Sequence, residues 1–397
     1  MIIKSILDND LYKFTMQQAV LELFPNTKVK YCFFNRDFDK VFNQQFLKKL
    51  KKEIKNLEKL SLTDTEYNFL KKQCPFLKPQ YLEFLKNYTY DSNEINVSLN
   101  EDNSLKLTIN GYWYSTILWE VPLLSLISEL YYKYVKKESY LSQKDILLSQ
   151  EDISYDKIHK LTINKCKFAD FGTRRRRSYK FHNNLISIFT KYCDQHKKNK
   201  NYFVGTSNVH LAQKYNLKPI GTYAHEWVMG NSILESLRHA NYFAMNNWIK
   251  VYNTRLGITL TDTYGTNAFL NNFDRKMAMM YDGVRHDSGS PFEFADKIVN
   301  HYKTLNINPK SKTIIFSDGL NPQKAIEIKR YCKDKINCSF GIGTNFTNCF
   351  LDALNIVIKL THVQYDNKYI PVVKLSDDNG KVTGERTAVD IAQWICK

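Results

Sequence analysis

From residue 166 to about 353, short apolar runs alternate with stretches long enough for one helix each, and every run stops at a polar or glycine-bearing tip. The tips fall at 170–174, 205–208, 221–226, 261–264, 285–290, 317–319 and 341–344. This alternation predicts a β/α barrel, whose strand ends converge on one face and carry the chemistry. Ahead of it the periodicity differs. Residues 8–23 read as a helix, with Leu7, Leu11, Phe14 and Leu21 on one face, Asp8 or Asp10 as N-cap and Pro25 past its end. Val29, Tyr31 and Phe33 alternate as a half-buried strand, and Leu47, Leu50, Ile54 and Leu57 mark an amphipathic helix with a lysine face. Residues 95–99 and 105–109 read as a hairpin, and a helical stretch from 113 to about 137 leads into the barrel. Beyond it, 356–360 and 369–375 are extended with no helix between, so they are expected to rejoin the front sheet. The predicted units are an α+β domain with its connecting helix at 1–137, a barrel at 138–355, and strands within 356–397.

Composition narrows the class. With 397 residues, 43% hydrophobic and 24% charged, the chain reads as a soluble globule. The apolar stretch 117–130 is broken by Glu120, Pro122 and Glu129, too short and polar to span a bilayer. The N-terminus lacks the regions of a secretory signal, so a cytoplasmic, membrane-free protein is expected. Eight scattered cysteines without a Cys-x-x-Cys suggest reduced thiols rather than disulfides or a zinc site. A net charge of +17 invites a nucleic-acid partner. The lysine runs at 48–55 and 197–200 instead suit solvent faces, and with no binding motif no nucleic acid is expected. Four arginines, Arg174 to Arg177, stand apart because they follow a strand tip.

The tips carry the candidate chemistry. Gly341, Gly343 and Thr344 can bring backbone N–H groups close to a phosphate, and barrels often bind phosphate at their last two strand ends. Arg285, Asp287 and Ser288 concentrate a fork donor, a carboxylate and a hydroxyl; alternatively Asp287 caps the helix that Pro291 opens. Asp262, Asp287 and Asp318 could bind sugar hydroxyls, hold Mg²⁺ chelated by a diphosphate, or stabilise a cationic transition state. His225 suits a base or a phosphoryl acceptor as well as a structural role. Phe171 is either core or a stacking platform for a flat ring.

In order, these tips resemble the nicotinate phosphoribosyltransferase family. The motifs are Asp-Asn-Asp-Leu-Tyr-Lys-Phe-Thr-Met at 8–16, Phe-Ala-Asp-Phe-Gly-Thr-Arg at 168–174, Gly-Thr-Tyr-Ala-His-Glu-Trp at 221–227 and Phe-Gly-Ile-Gly-Thr at 340–344. The resemblance implies an irregular α/β barrel, a second domain built from both chain ends, and a homodimer with shared active sites. It implies synthesis of nicotinate mononucleotide and diphosphate from nicotinate and 5-phosphoribosyl 1-diphosphate, coupled to ATP through a phosphorylated His225. Phe171 would stack on one face of the pyridine and the partner subunit's Tyr12 on the other. Arg285 would pair with the carboxylate, with Thr206 and Ser207 nearby. Amide-using relatives carry aspartate where Ser207 stands, and an aspartate would repel a carboxylate. Arg174 and Arg176 would meet diphosphate or 5′-phosphate, with Arg175 and Arg177 outward. Gly341, Gly343 and Thr344 would hold the 5′-phosphate. Asp287, Asp318, Ser288 and Asp262 would serve ribose or Mg²⁺-diphosphate, with no dedicated protein metal site. A nicotinamide-using enzyme and a basic nucleic-acid-binding protein stay open as alternatives.

Overall fold

The computed structural model describes residues 1–37, 39–136, 140–349 and 353–396, and the side chains at 140–149 and 379 lie outside the described set. In chain order, β1 (Lys28–Asn35), β2 (Ile95–Leu99) and β3 (Leu105–Tyr112) come first. Six short strands follow: β4 (Phe168–Asp170), β5 (Phe203–Thr206), β6 (Ile258–Leu260), β7 (Gly283–His286), β8 (Thr313–Phe316) and β9 (Asn337–Ile342). The chain then returns through β10 (Ile356–Tyr365) and β11 (Lys368–Pro371). The fold is mixed α/β with two separate sheets, ordered β11-β10-β1-β3-β2 and β5-β4-β9-β8-β7-β6.

The first sheet is antiparallel and joins strands from both chain ends. Tyr31 pairs with Leu360 and Phe33 with Ile358, so period-two alternation buries one face of each strand together. The second sheet is parallel, with helices between successive strands. Seven strands are expected from the sequence and six form. The run before tip 221 contributes only a bridge from Thr206 to Pro219, because proline has no N–H to extend a ladder. No ladder joins β5 to β6 among the described residues.

The first helix spans Leu11–Leu23 rather than starting at residue 8. Asp10 occupies the N-cap without a side-chain capping bond, because its carboxylate accepts from Ser207 Oγ at 2.7 Å. Asp8 is engaged by Arg176 through both oxygens, at 2.6 and 2.7 Å. The helix is buried on almost every side, Lys13 and Gln17 included, so it is a core helix and not an amphipathic one. The connection into the second sheet is helical over Trp113–Thr116 and Glu120–Tyr134, and its expected end at 137 falls outside the described residues. No described helix is long and apolar enough to cross a membrane.

Candidate active site

The C-terminal ends of the parallel strands open on a cavity of about 740 Å³. After β4 come Phe171, Gly172, Arg174 and Arg175; after β8, Ser317 and Asp318; after β9, Gly343 and Thr344. Arg285 on β7, Asp287 just beyond it, and His225 complete the strand-end wall. Tyr12 reaches the same cavity from the first helix of the same chain. The expectation that this ring would arrive from a partner subunit thus differs from the structure, because the helix is anchored in its own chain: Leu11 N donates to Ser207 O at 2.9 Å.

His225 is the focus of the polar network. Its Nε2 lies 3.0 Å from Asp287 Oδ2 and 2.9 Å from Lys374 Nζ, and Nδ1 lies 3.0 Å from Thr263 Oγ1. Burial, reinforced by the Lys374 ammonium, pushes the imidazole pKa down to about 4, so the ring is neutral near pH 7. An ammonium can only donate, so the Lys374 contact requires the Nε2 lone pair, whereas the Asp287 contact requires an N–H there. The two contacts therefore belong to different tautomers, one of which presents a nucleophilic Nε2. Burial alone would raise the Asp287 pKa, but Arg285 and His225 outweigh it and hold the carboxyl well below its usual range. Asp287 does not cap the following helix; Ser290 does, accepting from Glu293 N. One oxygen or nitrogen each of His225, Asp262 and Asp287 lie within 4.8 Å of one another, a donor set that could hold a divalent cation. Lys374 already places its ammonium there, 3.2 Å from Asp262 Oδ2. Mg²⁺ prefers oxygen, so Asp287 and Asp318 on the open wall fit it better than the imidazole does.

Several expected contact residues lie behind the wall. Thr206 Oγ1 donates to Asp170 Oδ2 at 2.6 Å, Ser207 Oγ to Asp10, and Ser288 Oγ to Asp262 Oδ2 at 2.6 Å. All three are buried, as is Asp262, and their hydroxyls are committed to carboxylates rather than to the cavity. Gly341 is also set back. A Cβ there would sit 2.3 Å from Phe171 Cδ2 and Cε2, so its lack of a side chain makes room for the ring rather than for a phosphate. Among the four arginines, Arg174 and Arg175 face the cavity. Arg176 is fully buried on Asp8, and Arg177 is buried too. The expected pairing of Arg176 with a phosphate is thereby corrected, since its fork is already filled by a carboxylate.

Arg36, Lys359, Lys374 and Lys381 also line the cavity, and sequence reasoning missed all four. None sits at a tip of the parallel strands; Arg36 follows the antiparallel β1. Lys359 lies on the face of β10 opposite the buried Ile356 and Ile358. Burial, with repulsion from Lys374 and Arg36, pushes its pKa down to about 7. Lys381 reaches Asp318, and Asp287 O at 3.2 Å. Cations thus outnumber the two cavity carboxylates, Asp287 and Asp318, which attracts an anion with many oxygens.

A cation-rich cavity at parallel strand ends, flanked by two aromatic rings and centred on a neutral histidine, defines a protein that handles a phosphorylated sugar beside a flat ring. The chain belongs to the nicotinate phosphoribosyltransferase (NAPRTase) family: residues 166–393 match that family, and 7–128 match its N-terminal domain. It is 48% identical to a nicotinate phosphoribosyltransferase of Methanosarcina acetivorans over 408 residues, covering 99% of this chain and 98% of the relative. It is similar in structure to the nicotinate phosphoribosyltransferase of Porphyromonas gingivalis, with a TM-score of 0.93, 40% identity and full coverage of both chains. A putative nicotinate phosphoribosyltransferase of Saccharomyces cerevisiae also gives 0.93, at 38% identity, covering 100% of this chain and 98% of that one.

Proposed function

We propose that the chain transfers the 5-phosphoribosyl group to nicotinate, releasing diphosphate and forming nicotinate mononucleotide, with ATP hydrolysis coupled through His225. The observation that carries this reading is one cavity that gathers Phe171, Tyr12, Arg285, His225, Gly343 and Thr344. The pyridine stacks between Phe171 and Tyr12, and Arg285 pairs with its carboxylate. Gly343 and Thr344 hold the 5′-phosphate. As the bond from C1 to the diphosphate oxygen breaks, charge develops on the sugar, and Asp287 and Asp318 offset it. The pyridine nitrogen attacks C1 from the opposite face, forming the C–N bond and inverting the centre. Arg174, Arg175 and Lys381 receive the departing diphosphate. Mg²⁺, held through the diphosphate by Asp287 and Asp318, would neutralise leaving-group charge.

In the coupling step, His225 Nε2 attacks the γ-phosphorus of ATP, forming an N–P bond as the P–O bond to ADP breaks. Nδ1 keeps its proton on Thr263 Oγ1, and Lys374 stabilises the transferred phosphoryl group. Water later cleaves the N–P bond. The neutrality of the buried imidazole supports this role, since no proton must first be removed. Ser207 and Thr206 act on specificity indirectly, by fixing Asp10 and Asp170.

The same reading treats the parallel sheet as an irregular barrel, supported by the Thr206–Pro219 bridge and by a hydrogen bond between the Tyr223 and Thr259 hydroxyls across the gap. It divides the chain at 137 and 355, with a second domain from both ends, and takes two copies to assemble as a homodimer in the cytoplasm. The test is incubation with γ-labelled ATP followed by peptide mapping, alongside turnover of nicotinate and nicotinamide. Label on His225 and preferred use of nicotinate are expected. Label elsewhere removes the coupling proposal, and preferred use of the amide removes the substrate assignment.

A further inference from the structure

Behind the wall that carries Tyr12, Arg174 and His225 lies a buried cluster of charge. Lys13 follows Tyr12 in the first helix, and its side chain is 0% exposed. Its ammonium meets Glu120 Oε2 at 2.6 Å and also the Glu226 carboxylate. Glu226, which follows His225, accepts further from Tyr31 Oη at 2.8 Å and Trp113 Nε1 at 3.0 Å. The second oxygen of Glu120 faces Arg174 Nη1 at 3.4 Å. Lys13, Glu120 and Glu226 are buried, and together with the half-exposed Arg174 the four carry no net charge.

Stability does not explain such a cluster, because apolar side chains of similar volume commonly serve a core as well or better. What its members share is location. Each is the chain neighbour or the direct partner of a residue on the cavity wall. Arg174 needs the help most: its side chain is 47% exposed, and the carboxylate of Glu120 is what meets its guanidinium. Glu120 is in turn fixed by Lys13, whose own position is set by Glu226.

We infer that Glu120 is a positioning residue, held by the buried Lys13–Glu226 pair, that aims the Arg174 guanidinium at the phosphates of 5-phosphoribosyl 1-diphosphate. This rests on the reading of Arg174 as an anion-binding residue. Glu120 itself touches no substrate. A carboxylate that shares its two oxygens between a buried lysine and an arginine at the wall converts the rigidity of the core into the direction of one flexible side chain.

The test is a double-mutant cycle on the full-length enzyme, with KM for each substrate and kcat measured for wild type, E120Q, R174A and the double variant. E120Q is expected to raise KM for 5-phosphoribosyl 1-diphosphate about fivefold, and to change KM for nicotinate by less than about twofold. In the R174A background the same substitution should change the phosphoribosyl KM by less than about twofold. An equal rise in both backgrounds overturns the proposal, because Glu120 would then act through the fold at large. R174A with an unchanged phosphoribosyl KM removes the reading of Arg174 and the inference with it. E120D keeps the charge beside Lys13 while withdrawing from Arg174, so it should reproduce the KM rise with a melting temperature near wild type. A wild-type KM in a folded E120D also counts against the proposal.

Discussion

Replacing Gly341 with alanine tests the seating of the stacking ring. Gly341 lies beside Ala169 across the β4–β9 ladder, and the Cβ it lacks would fall 2.3 Å from Phe171 Cδ2 and Cε2. Ordinary contact begins near 3.4 Å, so the ring must move by the difference, 3.4 less 2.3, or about 1.1 Å. The backbone has little freedom to follow. Phe171 N donates to Ile342 O at 2.9 Å, and Gly172 N to Asp170 Oδ1 at 2.9 Å. The side chain must instead leave its rotamer and swing into the cavity, at a cost of about 0.5–1.5 kcal/mol. Misaligned stacking forfeits an amount of similar size, about 0.5–1.5 kcal/mol. A loss of about 1.4 kcal/mol in binding corresponds to about a tenfold rise in KM for nicotinate. Steady-state kinetics of G341A should show that rise, with KM for 5-phosphoribosyl 1-diphosphate changed by less than about twofold. A folded G341A with unchanged KM for nicotinate would refute the role given to Phe171. An equal rise in both constants would instead mean that Gly341 serves the phosphate after all.

His225→Asn should keep ATP-independent turnover but lose ATP stimulation, read as ADP released per mononucleotide formed; undiminished coupling rules out phosphohistidine. The lowered pKa of Lys359, about 7, means that its charge is present below that pH and lost above it. KM for 5-phosphoribosyl 1-diphosphate should therefore rise between pH 6 and 8.5, and Lys359→Arg should flatten the profile; a slope unchanged in the variant assigns it to another group. Arg176→Met leaves the Asp8 carboxylate buried without its partner and should cost about 3–5 kcal/mol in urea denaturation. Its KM values should stay close to wild type, and a large KM effect without loss of stability would put Arg176 in the cavity after all.

Local order in the sequence accounts for much of this. The apolar runs that became β4 to β9 are each short, each ended by a tip, and separated by helical stretches, so strand and polarity changes are visible without tertiary information. Pro219 shows the limit: the run before tip 221 has strand-like composition, but the missing N–H leaves it a single bridge. Arg174 to Arg177 are chemically identical in sequence, and their fates are decided by partners far along the chain, such as Asp8, 168 positions from Arg176. Gly341 and Gly343 read alike as phosphate-binding glycines, yet Gly341 clears space for a phenyl ring that follows the directly paired strand β4 and lies far away in sequence. Lys359 and Lys374 were hidden among surplus lysines. A two-residue period on β10 assigns Lys359 to a face, but only the packing of that sheet against the strand-end cavity says what the face meets.

The most direct measurement is a crystal structure of the protein with nicotinate mononucleotide. The pyridine should lie between Phe171 and Tyr12, its carboxylate on Arg285, and the 5′-phosphate against Gly343 and Thr344, with His225 within reach of the ribosyl end. A mononucleotide bound away from these groups, or reversed with its phosphate at Arg285, would contradict the account.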